Sequence, residues 1–152
     1  MTLRATAFLA DSAEAVGGKL YVLGAGWDTV GARTLPVIHP RVSVGAIIAI
    51  GWSDTDVEHD VTLRLETEDG QSVPLGRLGT GTGPESVIAQ LGHRFTAHRS
   101  DHLRPGDDQS HPIAFTVNDL HIPAAGGYSW VLSIDGTIAA RLPMRVVHTP
   151  GA

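Results

Sequence analysis

The chain has 152 residues, 42% hydrophobic and 18% charged, with a formal net charge of -5. That suits one domain with its own core and argues against intrinsic disorder. The lack of cysteine excludes disulfides, thiolate metal sites and a cysteine nucleophile, and the acidic balance argues against non-specific nucleic-acid binding.

In chain order, Leu3–Ala10 alternates as a first strand, with Leu3, Ala5, Ala7 and Leu9 on one face and Thr6 and Phe8 on the other. Asp11–Val16 is either a connector or the end of that strand. Its start, MTLRATAFLADSAEA, does not read as a signal peptide, because the apolar run is short and soon reaches Asp11. Gly17-Gly18 marks a turn into Lys19–Ala25. Gly24 and Gly26 flank Ala25 and predict a bulge or sharp bend before Trp27. Trp27–Val30 continues beyond the bend, and Gly31–Pro40 reads as a loop.

Arg41–Trp52 is the most apolar strand, with Val42, Val44, Ala46, Ile48 and Ile50 on one face; its β-branched run and glycines argue against a helix. Ser53–His59 is an acidic loop. Val61–Thr67 places Val61, Leu63 and Leu65 inward. Asp69-Gly70 turns the chain into Gln71–Leu75, and Gly76–Glu85 is a glycine-rich loop. Ser86–Arg99 reads as a strand region with a bulge suspected at Gly92, Ser100–Ser110 as a polar loop, and His111–Asn118 as another strand.

His121–Val147 reads as a complete hairpin. Tyr128, Trp130 and Leu132 share one face, and Ile138, Ala140, Leu142 and Met144 share one on the return strand. Opposed residues in a ladder share a face. A two-residue Asp135-Gly136 loop would set Leu132 against Ala139 and Trp130 against Arg141. A three-residue Ile134–Gly136 loop, with Gly136 left-handed, pairs Leu132 with Ile138, Trp130 with Ala140 and Tyr128 with Leu142, and is the expected register. Pro143 cannot donate to a ladder, so the return strand is expected at an edge or bulged there. Together these signals predict an all-β fold: an antiparallel, immunoglobulin-like β-sandwich of about eight to ten strands. It spans residues 1–148 as one domain, with 149–152 as a short tail.

Two stretches carry a family resemblance. Ala10-Asp11, Gly18-Lys19-Leu20 and Gly24–Trp27 at the N-terminal end, with Leu120, Pro123, Gly126, Tyr128 and Asp135-Gly136 near the C-terminal end, resemble a bacterial, largely actinobacterial, family of unknown function. That resemblance implies no activity and no catalytic residues. Gly126-x-Tyr128 is also similar to the tyrosine corner of immunoglobulin-like and fibronectin-like sandwiches, which implies a structural role for Tyr128.

His93, His98, His102 and His111 fall in one segment and raise a metal site, but a five-residue spacing puts His93 and His98 on opposite faces of a regular strand. Solvated surface histidines are the plainer reading. Asp54, Asp56, Glu58 and Asp60 offer oxygens to a cation without the EF-hand glycine and terminal glutamate. Gly79–Gly83 lacks the lysine of a phosphate loop. Ser100-Asp101-His102 has triad residue types, but no nucleophile elbow and no room to align as neighbours. Trp27, Trp52 and Trp130 suit core or corner positions, and Trp52, if exposed at its strand end, would suit an interface. No catalytic, cofactor or metal residue is assigned and no cofactor is expected. The expected function is a non-enzymatic interaction or assembly module that binds a protein partner or itself, as a homo-oligomer. It is expected in the cytoplasm, away from membrane and nucleic acid. The alternative is a small-ligand or metal-binding protein using the His-rich segment 93–111.

Overall fold

The computed structural model describes residues 3–78 and 86–151; the Gly79–Gly83 motif lies outside them. The described chain is all-β, with a single 3-10 turn at Trp52–Asp54. Its strands are β1 (Arg4–Val16), β2 (Lys19–Ala25), β3 (Thr29–Ala32), β4 (Val37–Gly51), β5 (Glu58–Thr67), β6 (Ser72–Val73), β7 (Gly76–Leu78), β8 (Ser86–Ile88), β9 (Leu91–Thr96), β10 (Asp108–Ile122), β11 (Gly126–Ile134) and β12 (Thr137–His148). One sheet runs β10-β4-β1-β2. A second runs β3-β12-β11-β5, and the far side of β5 is shared by β6 and β9. β7 and β8 form a separate pair.

Periodicity explains the core. Val42, Val44, Ala46, Ile48 and Ile50 are all buried, and β4 lies between β1 and β10 as its apolarity predicts. Val61, Leu63 and Leu65 of β5 meet Tyr128, Trp130, Leu132 and Ile134 of β11 in the same core, which draws on both main sheets. Trp130, Ile48 and Leu63 are fully enclosed; truncating such a side chain to alanine costs about 2–5 kcal/mol, because transfer and cavity terms add.

The final hairpin keeps the predicted faces of Tyr128, Trp130, Leu132, Ala140, Leu142 and Met144, but Ile138 lies on the opposite face, paired with Ser133, and the predicted loop is not formed. Ile134 pairs with Thr137, so the loop is the two residues Asp135-Gly136. Both have positive φ, 51° and 80°, as a type I′ turn requires. The odd residue sits instead in β12: Ser133 pairs with Ile138 but Leu132 with Ala140, leaving Ala139 as a bulge. Beyond it Trp130 pairs with Leu142 and Tyr128 with Met144. A bulge and an odd loop solve the same parity problem, so alternation alone could not choose between them. Arg145 donates its N–H to Asp28 beside β3. Pro143, two residues earlier, points its nitrogen the same way, before the β3 pairing begins at Arg145. The phenol of Tyr128 donates to the Ala124 carbonyl at 2.6 Å, closing the predicted corner.

Of the two readings of Asp11–Val16, the end of the first strand holds: it belongs to β1, which hands its pairing from β4 to β2 at Ala10. Other boundaries differ. The expected Gly31–Pro40 loop contains the start of β4, and Pro40 is tolerated because the β4–β10 ladder skips the Pro40–Asp119 position, where Asp119 has φ 52°. Ser86–Arg99 divides into β8 and β9, and Gly92 pairs in register with Thr62 without a bulge. The sheets are not wholly antiparallel: β3 runs parallel to β12. This follows from the bend at Gly24 and Gly26, φ 66° and 94°, after which the chain leaves β2 for the other sheet. A Cβ on Gly24 would collide with the Asp11 carboxylate.

Candidate functional site

A polar constellation around a buried imidazole centres on a residue the sequence reading passed over. His59 is 4% exposed because it continues the inward parity of Val61, Leu63 and Leu65 along β5. Its Nδ1 lies 2.7 Å from Asp135 Oδ2, and its Nε2 lies 2.7 Å from the Asp54 carbonyl oxygen. Asp135 is fixed in turn: its Oδ1 accepts the Asp60 N–H at 2.9 Å, and its own N–H bonds the Asp60 carbonyl. Both ring nitrogens are therefore committed, which leaves His59 neither a free base nor a free metal ligand. Burial disfavours the charged ring, but the bonds to Asp54 and Asp135 outweigh it and raise the pKa above the ordinary 6.5. Asp135 is also desolvated, yet its bonds to His59 and to the Asp60 N–H hold it below the ordinary carboxylate value.

The predicted His-rich segment divides around Phe95. The ring of His111 stacks on Phe95 at a centroid separation of 4.0 Å, that of His93 lies at 6.3 Å, and His59 packs on the same phenyl at 5.4 Å. Burial, with the nearby His93 and His59, lowers the His111 pKa and so disfavours the charged ring. His98 instead faces solvent, 3.4 Å from Asp56. The expected Ser100–Ser110 loop ends where β10 begins at Asp108, and within it the backbone N–H of His102 bonds Ser100 Oγ, a local turn rather than an aligned triad.

The acidic residues are spread over separate partners. Asp60 pairs with Arg94 at 2.7 Å, Asp56 receives the Arg99 N–H and faces His98, and Glu58 stands on β5 opposite Thr96. Among the described residues, no group of three or more His, Asp or Glu side chains is placed to share a metal ion. Trp52 is half-buried under the Arg99 guanidinium, 3.8 Å from the ring centroid. Arg99 also donates to the Trp52 carbonyl and to Thr55 Oγ1, so the corner is braced. Trp27 packs against the core beside His39, and Trp130 is fully buried, its indole N–H directed at Met144 Sδ.

Two surfaces remain. A cleft of about 400 Å³ opens near the end of the second sheet away from Asp135, between Thr67, Ser72, Asp119, His121 and Pro123. The other surface is the β1–β2 hairpin. Among the described residues β2 pairs only with β1, and Leu23 and Tyr21 are 74% and 57% exposed. Edge strands normally carry devices that prevent pairing. The β10 edge has Pro112 and the left-handed Asp119, β9 exposes His93 and Arg94, and β3 has only four residues. The only charged residue in β2 is Lys19, at its start.

These features define an all-β protein with a braced polar corner and an edge strand that exposes Tyr21 and Leu23 ahead of the left-handed Gly24. The match over residues 5–147 shows that the chain belongs to the Family of unknown function (DUF6941). No curated protein matches it. No helix among the described residues is long and apolar enough to cross a membrane.

Proposed function

We propose that this protein is a non-enzymatic interaction module that meets a protein partner, or a second copy of itself, along the β2 edge. The supporting observation is the exposure of Tyr21 and Leu23 on a strand whose outer side is unpaired among the described residues. Such an edge offers backbone donors and acceptors for strand addition, and its alternate side chains give specificity. We take the two main sheets as an immunoglobulin-like sandwich that presents this edge. The bacterial, actinobacterial character suggested by Leu9–Val30 and Ile113–Gly136 belongs to the same reading. So does a cytoplasmic setting away from membrane and nucleic acid, the latter supported by the net charge of -5.

The test compares wild type with a Tyr21→Glu/Leu23→Glu variant by sedimentation at several concentrations and by capture from cell lysate. Association or a captured protein that the variant loses supports the role. Identical behaviour of the two proteins rejects it. A second reading, a small-ligand or metal site on segment 93–111, rests on His111: a half-buried imidazole beside His93 whose charged form burial disfavours could offer a lone pair to a ligand. Calorimetric titration with zinc or nickel and elemental analysis test it, and affinity no tighter than about millimolar rejects it.

A further inference from the structure

We propose that His59 is a proton-operated latch: its imidazolium ties the Trp52–Asp56 corner to the β11–β12 turn, and loss of one ring proton releases that corner. The geometry requires this charge state. A backbone carbonyl offers only lone pairs, and so does an ionised carboxylate. With Asp54 O and Asp135 Oδ2 each 2.7 Å from a ring nitrogen, both nitrogens must carry hydrogen. A neutral ring has one N–H, so one contact would then set lone pair against lone pair and must open.

The surroundings decide which contact opens. Asp135 is pinned by reciprocal backbone bonds with Asp60, so the remaining proton stays on Nδ1 and the Asp54 carbonyl is released. The corner's other bonds lead elsewhere: Asp56 N–H to the Ala97 carbonyl, and Arg99 to Trp52 and Thr55. Opening is therefore local. The charged and titratable groups around the ring are Asp54 from the corner, Asp135 from the turn, His111 from β10 and, across Phe95, His93 from β9. The two carboxylates favour the proton, while burial and the two imidazoles, when charged, oppose it.

The direction of the shift sets the window. Because the folded pKa of His59 is raised, its contribution is complete below the ordinary 6.5 and is lost as pH rises through the folded value. Asp135 is shifted downward, so its contribution is present above the ordinary 3.8 and is lost only as pH falls through its folded value. Release of the Asp54 carbonyl therefore belongs to the alkaline side, and weakening of the His59–Asp135 tie to strongly acid pH.

Nitrogen-15 NMR of the His59 ring and amide exchange at Asp54–Asp56, corrected for intrinsic rates, are followed together as pH rises. The expected result is two protonated ring nitrogens below pH 6.5, and loss of one as pH rises through the folded pKa. Corner protection should fall roughly 10- to 100-fold through the His59 titration, as for loss of a charge-assisted hydrogen bond. Asp135→Asn, which keeps the side-chain shape, should move both transitions to lower pH together. A single neutral tautomer below pH 6.5 overturns the latch. So does corner protection that stays constant through the titration, or transitions that Asp135→Asn leaves in place.

Discussion

Gly45 gives the sharpest packing test. It lies in the middle of β4, directly opposite Phe8 in the ladder. A Cβ there would stand 2.8 Å from Phe8 Cε2, 3.0 Å from Cζ and 3.3 Å from Leu20 Cδ2. Ordinary carbon contacts lie at about 3.5–4.0 Å, so the ring must retreat by roughly 0.7–1 Å. Overpacking of this kind costs about 1–3 kcal/mol, while alanine recovers about 0.4–1 kcal/mol of unfolded-chain entropy where the backbone permits it. Gly45→Ala should therefore lose about 1–2 kcal/mol in equilibrium urea unfolding. In a Phe8→Leu background the same change should cost little, giving a coupling of about 1 kcal/mol or more. A neutral or stabilising Gly45→Ala, or an equal cost in both backgrounds, would show that close approach by the ring is not why glycine stands there.

Two further outcomes follow from the final hairpin. Tyr128→Phe removes the bond to the Ala124 carbonyl and should lower stability by about 0.5–1.5 kcal/mol in urea unfolding, with the secondary structure seen by far-UV dichroism unchanged. Deleting Ala139 removes the bulge yet leaves Leu132 opposite Ala140 and Trp130 opposite Leu142. That variant should still unfold cooperatively, with a loss of about 1–3 kcal/mol and its near-UV tryptophan signal retained. A molten product without that signal would refute the bulge assignment.

Much of the fold is legible in alternation, and the illegible parts share a cause. Period-two patterns identify β4, the inward face of β5 and the Tyr128–Leu132 stripe, because a buried sheet face admits few exceptions. They do not locate an odd residue, which is why Ala139 and the Asp135-Gly136 turn exchange roles between expectation and structure. Short strands such as β3, β6 and β8 have too few residues to show a period, and the parallel β3–β12 pairing is purely tertiary. At the polar corner, Asp135 is concealed by its turn signature, and His59 by counting it within the acidic loop. Extending the odd parity of Val61 back by two residues would have marked His59 as buried. The edge at β2 is visible in sequence only as a plain strand, because lack of a partner is a property of the assembled sheets.

Amide hydrogen exchange along Lys19–Ala25 tests the interaction role most directly, measured on dilute protein, on concentrated protein and on the complex with any captured partner. Strand addition predicts added protection concentrated in β2 when the partner or second copy is bound. Protection that appears on another surface while β2 is unchanged, or β2 exchange that is the same in every sample, contradicts it.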